Sequence, residues 1–124
     1  MTTTTKSGAK SLNSNLTPAD VVQTLSRIGK DIDDATDDLA EADQKSMLAR
    51  RDSEKSYAKS FLTTDGAMEI RRYTARLASD NESFALASAE QEQRVIVSKI
   101  RALRDRLEIG RSISAIMRME WSNQ

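Results

Sequence analysis

Residues 21–60 read VVQTLSRIGKDIDDATDDLAEADQKSMLARRDSEKSYAKS. One spacing, alternating three and four, runs through this stretch without a break. It picks out Val21, Leu25, Ile28, Ile32, Ala35, Leu39, Ala42, Ser46, Ala49, Ser53, Ser56 and Ser60. Such a pattern puts one face of a helix against a partner helix as a heptad seam. The seam is aliphatic in its first half and only alanine and serine in its second, where a partner can approach closely. Met47, Leu48, Tyr57, Phe61 and Leu62 lie beside the small-residue strip.

The boundaries of this helix are also written in the residues. Thr17 can cap it, Pro18 suits its first position, and Asp20 suits the positive helix N-terminus. TTDG at 63–66 ends it, with Asp65 in the turn and Gly66 able to take the left-handed conformation. If residues 18–63 are all helical, the rod is about 70 Å long at 1.5 Å per residue. It then needs a partner helix from its own chain or another. A second helical region is expected over about 67–121. It begins with an Ile70, Thr74 and Leu77 stripe. A kink or break is expected near 79–82, where Ser79 and Glu82 have capping-box spacing. The seam then resumes as Leu86, Ala89, Gln93, Ile96, Ile100, Leu103, Leu107, Gly110, Ser114, Met117 and Trp121.

Composition agrees with helices. The 124 residues include one proline, four glycines and 4% aromatics, and 31% are charged. That argues against a sandwich or barrel, which needs frequent turn signals. The expected fold is all-α: a long antiparallel hairpin of two or three helices with coiled-coil seams, assembling into a homo-oligomer. Residues 1–16, rich in threonine, serine and asparagine and carrying Lys6 and Lys10, are read as a disordered tail. Residues 17–124 are read as one helical domain.

Function classes narrow in the same way. With no cysteine and no histidine, disulfides, thiolate nucleophiles, Cys/His zinc sites and imidazole bases are excluded. The acidic residues lie in runs on a helix expected to be solvated rather than in a pocket. No catalytic residue, metal ligand or cofactor is therefore assigned, and an enzyme is not expected. No run of about 18 apolar residues suggests a membrane span. The N-terminus lacks an apolar signal core. A soluble cytoplasmic protein with no membrane partner is expected.

Charge sums to zero but is segregated. Residues 20–45 carry eight acids and three bases, and residues 46–76 carry seven bases and four acids. The acidic run at 31–43 reads first as a solvated face, and secondarily as a docking surface for a basic partner. The basic segment gathers Arg50, Arg51, Lys55, Lys59, Arg71, Arg72 and Arg76, with Tyr57, Phe61 and Tyr73 interleaved. Cations for phosphates and ring faces for bases are what a single-stranded nucleic acid requires. The candidate DNA-binding residues are thus Arg50, Arg51, Lys55, Tyr57, Lys59, Arg71, Arg72, Tyr73 and Arg76. A packing alternative stands beside this. Tyr57 and Phe61 can pack the hairpin end, and the bases can pair with Asp52, Glu54 and Glu69.

The C-terminal stretch, GRSISAIMRMEW at 110–121, raises a second possibility. On a helical wheel Leu107, Ile109, Gly110, Ile113, Ile116, Met117 and Trp121 fill an arc of about 180°, wider than one partner helix covers. Arg104, Arg111 and Arg118 recur every seven residues along one border, where interhelical salt bridges form. The candidate self-interface is Ile96, Ile100, Leu103, Leu107, Gly110, Arg111, Ile113, Ile116, Met117 and Trp121. The alternative is burial inside a monomeric bundle.

The order of EKSYAKSFLTTDG, then LASDNESFALA, then IRALRDRLEIGRSISAIMRMEW resembles the small UvsY-like recombination mediator proteins of tailed phages, over roughly residues 40–121. The resemblance implies a non-enzymatic, helical homo-oligomeric ring that binds single-stranded DNA. Such a protein helps a RecA-like recombinase displace single-strand-binding protein. It implies DNA contacts at a lysine–arginine–aromatic run, whose nearest positions here are Lys55, Tyr57, Lys59 and Phe61. It also implies a host-cell cytoplasmic location. The spacing departs from the family's run, and the acidic first helix has no counterpart there. A phage assembly factor or anti-defence protein without DNA binding is the competing expectation.

Overall fold

The computed structural model describes residues 16–123. Most of the stretch read as a tail lies outside them. The fold is all-α: α1 spans Pro18–Thr63, α2 Met68–Ala78 and α3 Asp80–Ser122. No strand occurs among the described residues. Packing divides the helices between two units, one made of the chain up to Asp34 and from Arg101 onward, the other of Ala35–Ile100.

In the first unit α1 begins as its sequence requires. The Thr17 N–H donates to Asp20 Oδ2 at 3.1 Å, and the Asp20 N–H donates to Thr17 Oγ1 at 3.2 Å. Asp20 therefore completes a reciprocal capping box in which aspartate plays the usual glutamate part. Val21 is buried, and Leu25, Ile28 and Ile32 are half-buried. On α3, Leu103 is buried, and Leu107, Gly110, Ser114 and Met117 are half-buried. A Cβ on Gly110 would collide with the Leu25 side chain. Glycine is what lets α1 come this close to the α3 backbone, at a cost of about 1 kcal/mol in helix propensity.

The second unit is built on small residues. Its most buried positions are Ala35, Ala42, Ser46, Ala75, Ser79 and Ala89, with Ile100 at its margin. Every seam position read on α1 from Ala35 to Ser60 is buried or half-buried. The helices run antiparallel. Asp43 accepts from Gln93, Lys45 pairs with Glu92, Arg50 with Glu90, and Phe61 accepts from Arg71.

The end of α1 is closed by side chains. Thr63 Oγ1 donates to the Lys59 carbonyl at 2.8 Å and Thr64 Oγ1 to the Ser60 carbonyl at 2.6 Å. The Arg71 Nε and Nη2 atoms both donate to the Phe61 carbonyl, at 3.1 and 3.0 Å. The Ser60 carbonyl also accepts the Thr64 N–H at 3.1 Å, and the Phe61 carbonyl is one of the last four of the helix, which no further turn of helix can satisfy. Gly66 follows at φ +116°, a conformation that costs glycine little and other residues more.

The expected interruption near residues 79–82 is present at Ser79, but its capping and the inward face beside it differ from expectation. The interruption is a single residue, Ser79, and the hydrogen bonds run through it. The Ser79 N–H reaches the Ala75 carbonyl, and the Ser83 N–H reaches the Ser79 carbonyl. Ser79 does not form a capping box with Glu82. Its hydroxyl instead donates back to the Ala75 carbonyl at 2.8 Å, a bond that competes with the helix and tends to bend it. Secondly, Ile70 and Leu77 do not face the partner, and only Thr74 of that stripe is half-buried. The inward positions are Arg71, Ala75, Ser79, Glu82 and Leu86. From Ala75 to Leu86 they extend the α3 seam backwards in the same alternation of three and four, and Arg71 follows after a second step of four. Opposite serine and alanine, Ala75 and Ser79 let the helices pack closer than isoleucine or leucine would.

Candidate nucleic-acid interface

The basic and aromatic residues of the second unit come from the last turns of α1 and from α2, but they do not form one surface. Residues two apart on a helix lie about 200° apart. The interleaved run of Lys55, Tyr57, Lys59 and Phe61 therefore separates into two faces. Tyr57 and Phe61 are half-buried at one edge of the seam, their rings stacked with centroids 6.2 Å apart. Lys55 and Lys59 lie on the exposed outer side of α1, and Arg51 lies near them in helical phase.

Several predicted site residues have structural partners. Arg71 holds the Phe61 carbonyl, and its guanidinium covers the Phe61 ring at 4.5 Å. Arg50 donates to Glu90 at 2.8 Å. Arg76 sits 5.4 Å from the exposed Tyr73 ring. By contrast, Arg51, Lys55, Lys59 and Arg72 are exposed and make no ion pair among the described residues. Within the predicted set, these four have neither an ion pair nor a ring contact among the described residues.

Sequence reading missed a shallow cleft on the Tyr57 side, lined by Ser53, Glu54, Tyr57, Arg76, Ser79, Asp80 and Ser83. It gathers Tyr57 and Arg76 from the predicted set. Glu54 and Asp80 place two carboxylates beside them, which disfavours a phosphate there. Glu82 was also missed as a seam residue: its Oε2 is buried without a hydrogen-bond partner. The heptad phase, counted back from Leu86, was the signal for it. Among the described residues no three acidic side chains gather closely enough to hold a metal ion. No helix there is long and apolar enough to cross a membrane.

In the first unit, the arc read on α3 is covered over half its width. Leu107, Gly110 and Met117 are half-buried, whereas Ile109, Ile113, Ile116 and Trp121 are exposed. Trp121 thus lies outside the seam assigned to it. Arg111 pairs with Glu108 of its own helix at 2.9 Å. Ile96 is half-buried and Ile100 buried, both in the second unit.

These features define an all-α protein of paired helices with alanine- and serine-rich seams. No protein family, curated protein or solved structure matches the chain.

Proposed function

We propose that this chain is a non-enzymatic recombination mediator. It oligomerises, binds single-stranded DNA and helps to load a RecA-like recombinase in place of single-strand-binding protein. The observation that carries the reading is the set of four exposed cations without an ion pair among the described residues, Arg51, Lys55, Lys59 and Arg72. Cations without internal partners keep their full attraction for a phosphate backbone. The uncovered Ile109, Ile113 and Ile116 support self-association. Repeated on several subunits, a weak patch gains avidity of roughly 10²–10⁴.

The test is a titration of labelled oligothymidine at several salt concentrations, with wild type and a Lys55→Ala/Lys59→Ala variant. Losing two phosphate contacts per subunit lowers the slope of log K against log salt by about 1.4. An unchanged affinity and slope would remove these lysines from the interface. Recombinase filament assembly on DNA coated with single-strand-binding protein tests the loading role. A second reading, an interaction protein without DNA binding, is favoured by the internal use of Arg50, Arg71 and Tyr57. Absence of any DNA binding at low salt would establish it over the first.

A further inference from the structure

We infer that the outer face of α2 and the first turns of α3 pair antiparallel with the same face of a second copy, about a two-fold axis at Leu77. Ile70, Leu77 and Phe84 recur every seven residues and are 57%, 79% and 74% exposed, with Tyr73 beside them at 64%. They lie on the side of the helix away from Arg71, Ala75, Ser79 and Glu82. The hydrogen bonds running through Ser79 keep that side in register from 70 to 84. This is a second heptad stripe, back to back with the seam already filled.

The area is enough for a pair. Those four side chains expose about 500 Å², and a two-fold pairing that covered them fully would remove about 1,000 Å² from water, about the least that a specific interface needs. A patch of about 500 Å² is the size of the largest apolar patch that a single chain commonly shows, and such patches often serve an interaction.

Charge selects the partner and the register. The flank of the stripe carries, in order, Glu69, Arg72, Arg76 and Asp80. In an antiparallel pair this flank meets its own reverse. Reversal about Leu77 exchanges Ile70 with Phe84, sets Leu77 on Leu77, and brings Arg76 of each copy beside Asp80 of the other. Reversal midway between Arg72 and Arg76 would instead oppose the two arginines to each other, and Glu69 to Asp80. Only the first register satisfies the apolar triad and the charges together. The occupant that fits is therefore this chain itself.

Because the chain has no cysteine, single cysteines report the arrangement. They would be placed in an Ile113→Asp background, which silences the exposed α3 stripe of the first unit, and treated with a short bis-maleimide. Leu77→Cys chains should join in pairs. Ile70→Cys chains should join efficiently only when mixed with Phe84→Cys chains. Ala58→Cys, on the exposed side of α1, should stay single. Leu77→Cys remaining single overturns the inference, as does Ala58→Cys joining equally well. Ile70→Cys joining with itself as readily as with Phe84→Cys overturns the antiparallel register. None of these outcomes depends on DNA, so the pairing stands or falls separately from the proposed function.

Discussion

Arg71 separates a structural use of the basic cluster from a binding use. Its two donors share one acceptor, the Phe61 carbonyl, so they count as one charge-assisted hydrogen bond of about 1.5–3 kcal/mol. The half-buried setting places it toward the lower end. Cover of the Phe61 ring at 4.5 Å adds about 0.5–1 kcal/mol. Arg71→Ala should therefore cost about 2–3 kcal/mol. Arg71→Lys keeps the charge but loses the planar fork and should cost roughly half as much. Urea unfolding followed by far-UV circular dichroism, at one fixed protein concentration, reads this as a midpoint lowered by about 1–2 M for alanine. Measured well below the transition, the salt slope of DNA binding should match wild type in both variants. Wild-type stability of Arg71→Ala together with weakened DNA binding would refute the reasoning, because Arg71 would then be a contact and not a clamp.

Two further substitutions test the packing of the second unit. Ala75→Leu adds bulk at a fully enclosed position and should lower thermal stability by about 1–3 kcal/mol, while Ala58→Leu on the exposed side should stay within about 0.5 kcal/mol of wild type. Glu82→Met removes a buried oxygen that has no partner and keeps the length of the side chain. It should stabilise by about 1 kcal/mol, and a lower melting temperature would mean that Glu82 has a role that packing does not explain.

Periodicity carried most of the fold. The α1 seam is buried or half-buried at all twelve positions from Val21 to Ser60, because a heptad is a local pattern that needs no knowledge of the partner. The α2 stripe was misread because apolar identity outweighed phase. Counting back from Leu86 in the established alternation reaches Glu82, Ser79 and Ala75, which look polar or small and face inward. The next step would fall on the exposed Arg72, and it is Arg71, a second step of four, that is half-buried. Phase was thus a legible signal for Glu82, Ser79 and Ala75, whereas the inward turn of Arg71 rests on its contact with Phe61. The same distinction applies to the candidate site. That Lys55 and Tyr57 lie on different faces follows from helix geometry alone. That Arg50 meets Glu90, or Arg71 meets Phe61, depends on the register of two segments some ten to forty residues apart. Local spacing does not encode that register.

The small-residue seam also bears on what holds the chain together. The buried positions of α1 and α2 in the second unit are alanine and serine, and each alanine methyl contributes only about 0.8 kcal/mol on burial. Ile70, Leu77 and Phe84 would each contribute about 1.5–3 kcal/mol if fully covered, and in the single chain they are exposed. Ile100 and the half-buried Leu39, Leu86 and Ile96 add to that seam, and the outer stripe holds a further apolar contribution that the single chain leaves unused. Under the proposed pairing, folding and association share one driving force, so stability must rise with protein concentration. Charges on the flank then set only the register, since exposed ion pairs contribute about 0–1 kcal/mol each. A melting temperature that stays constant over a hundredfold range of concentration would show that the alanine seam suffices alone, and the outer stripe would lose its role in stability.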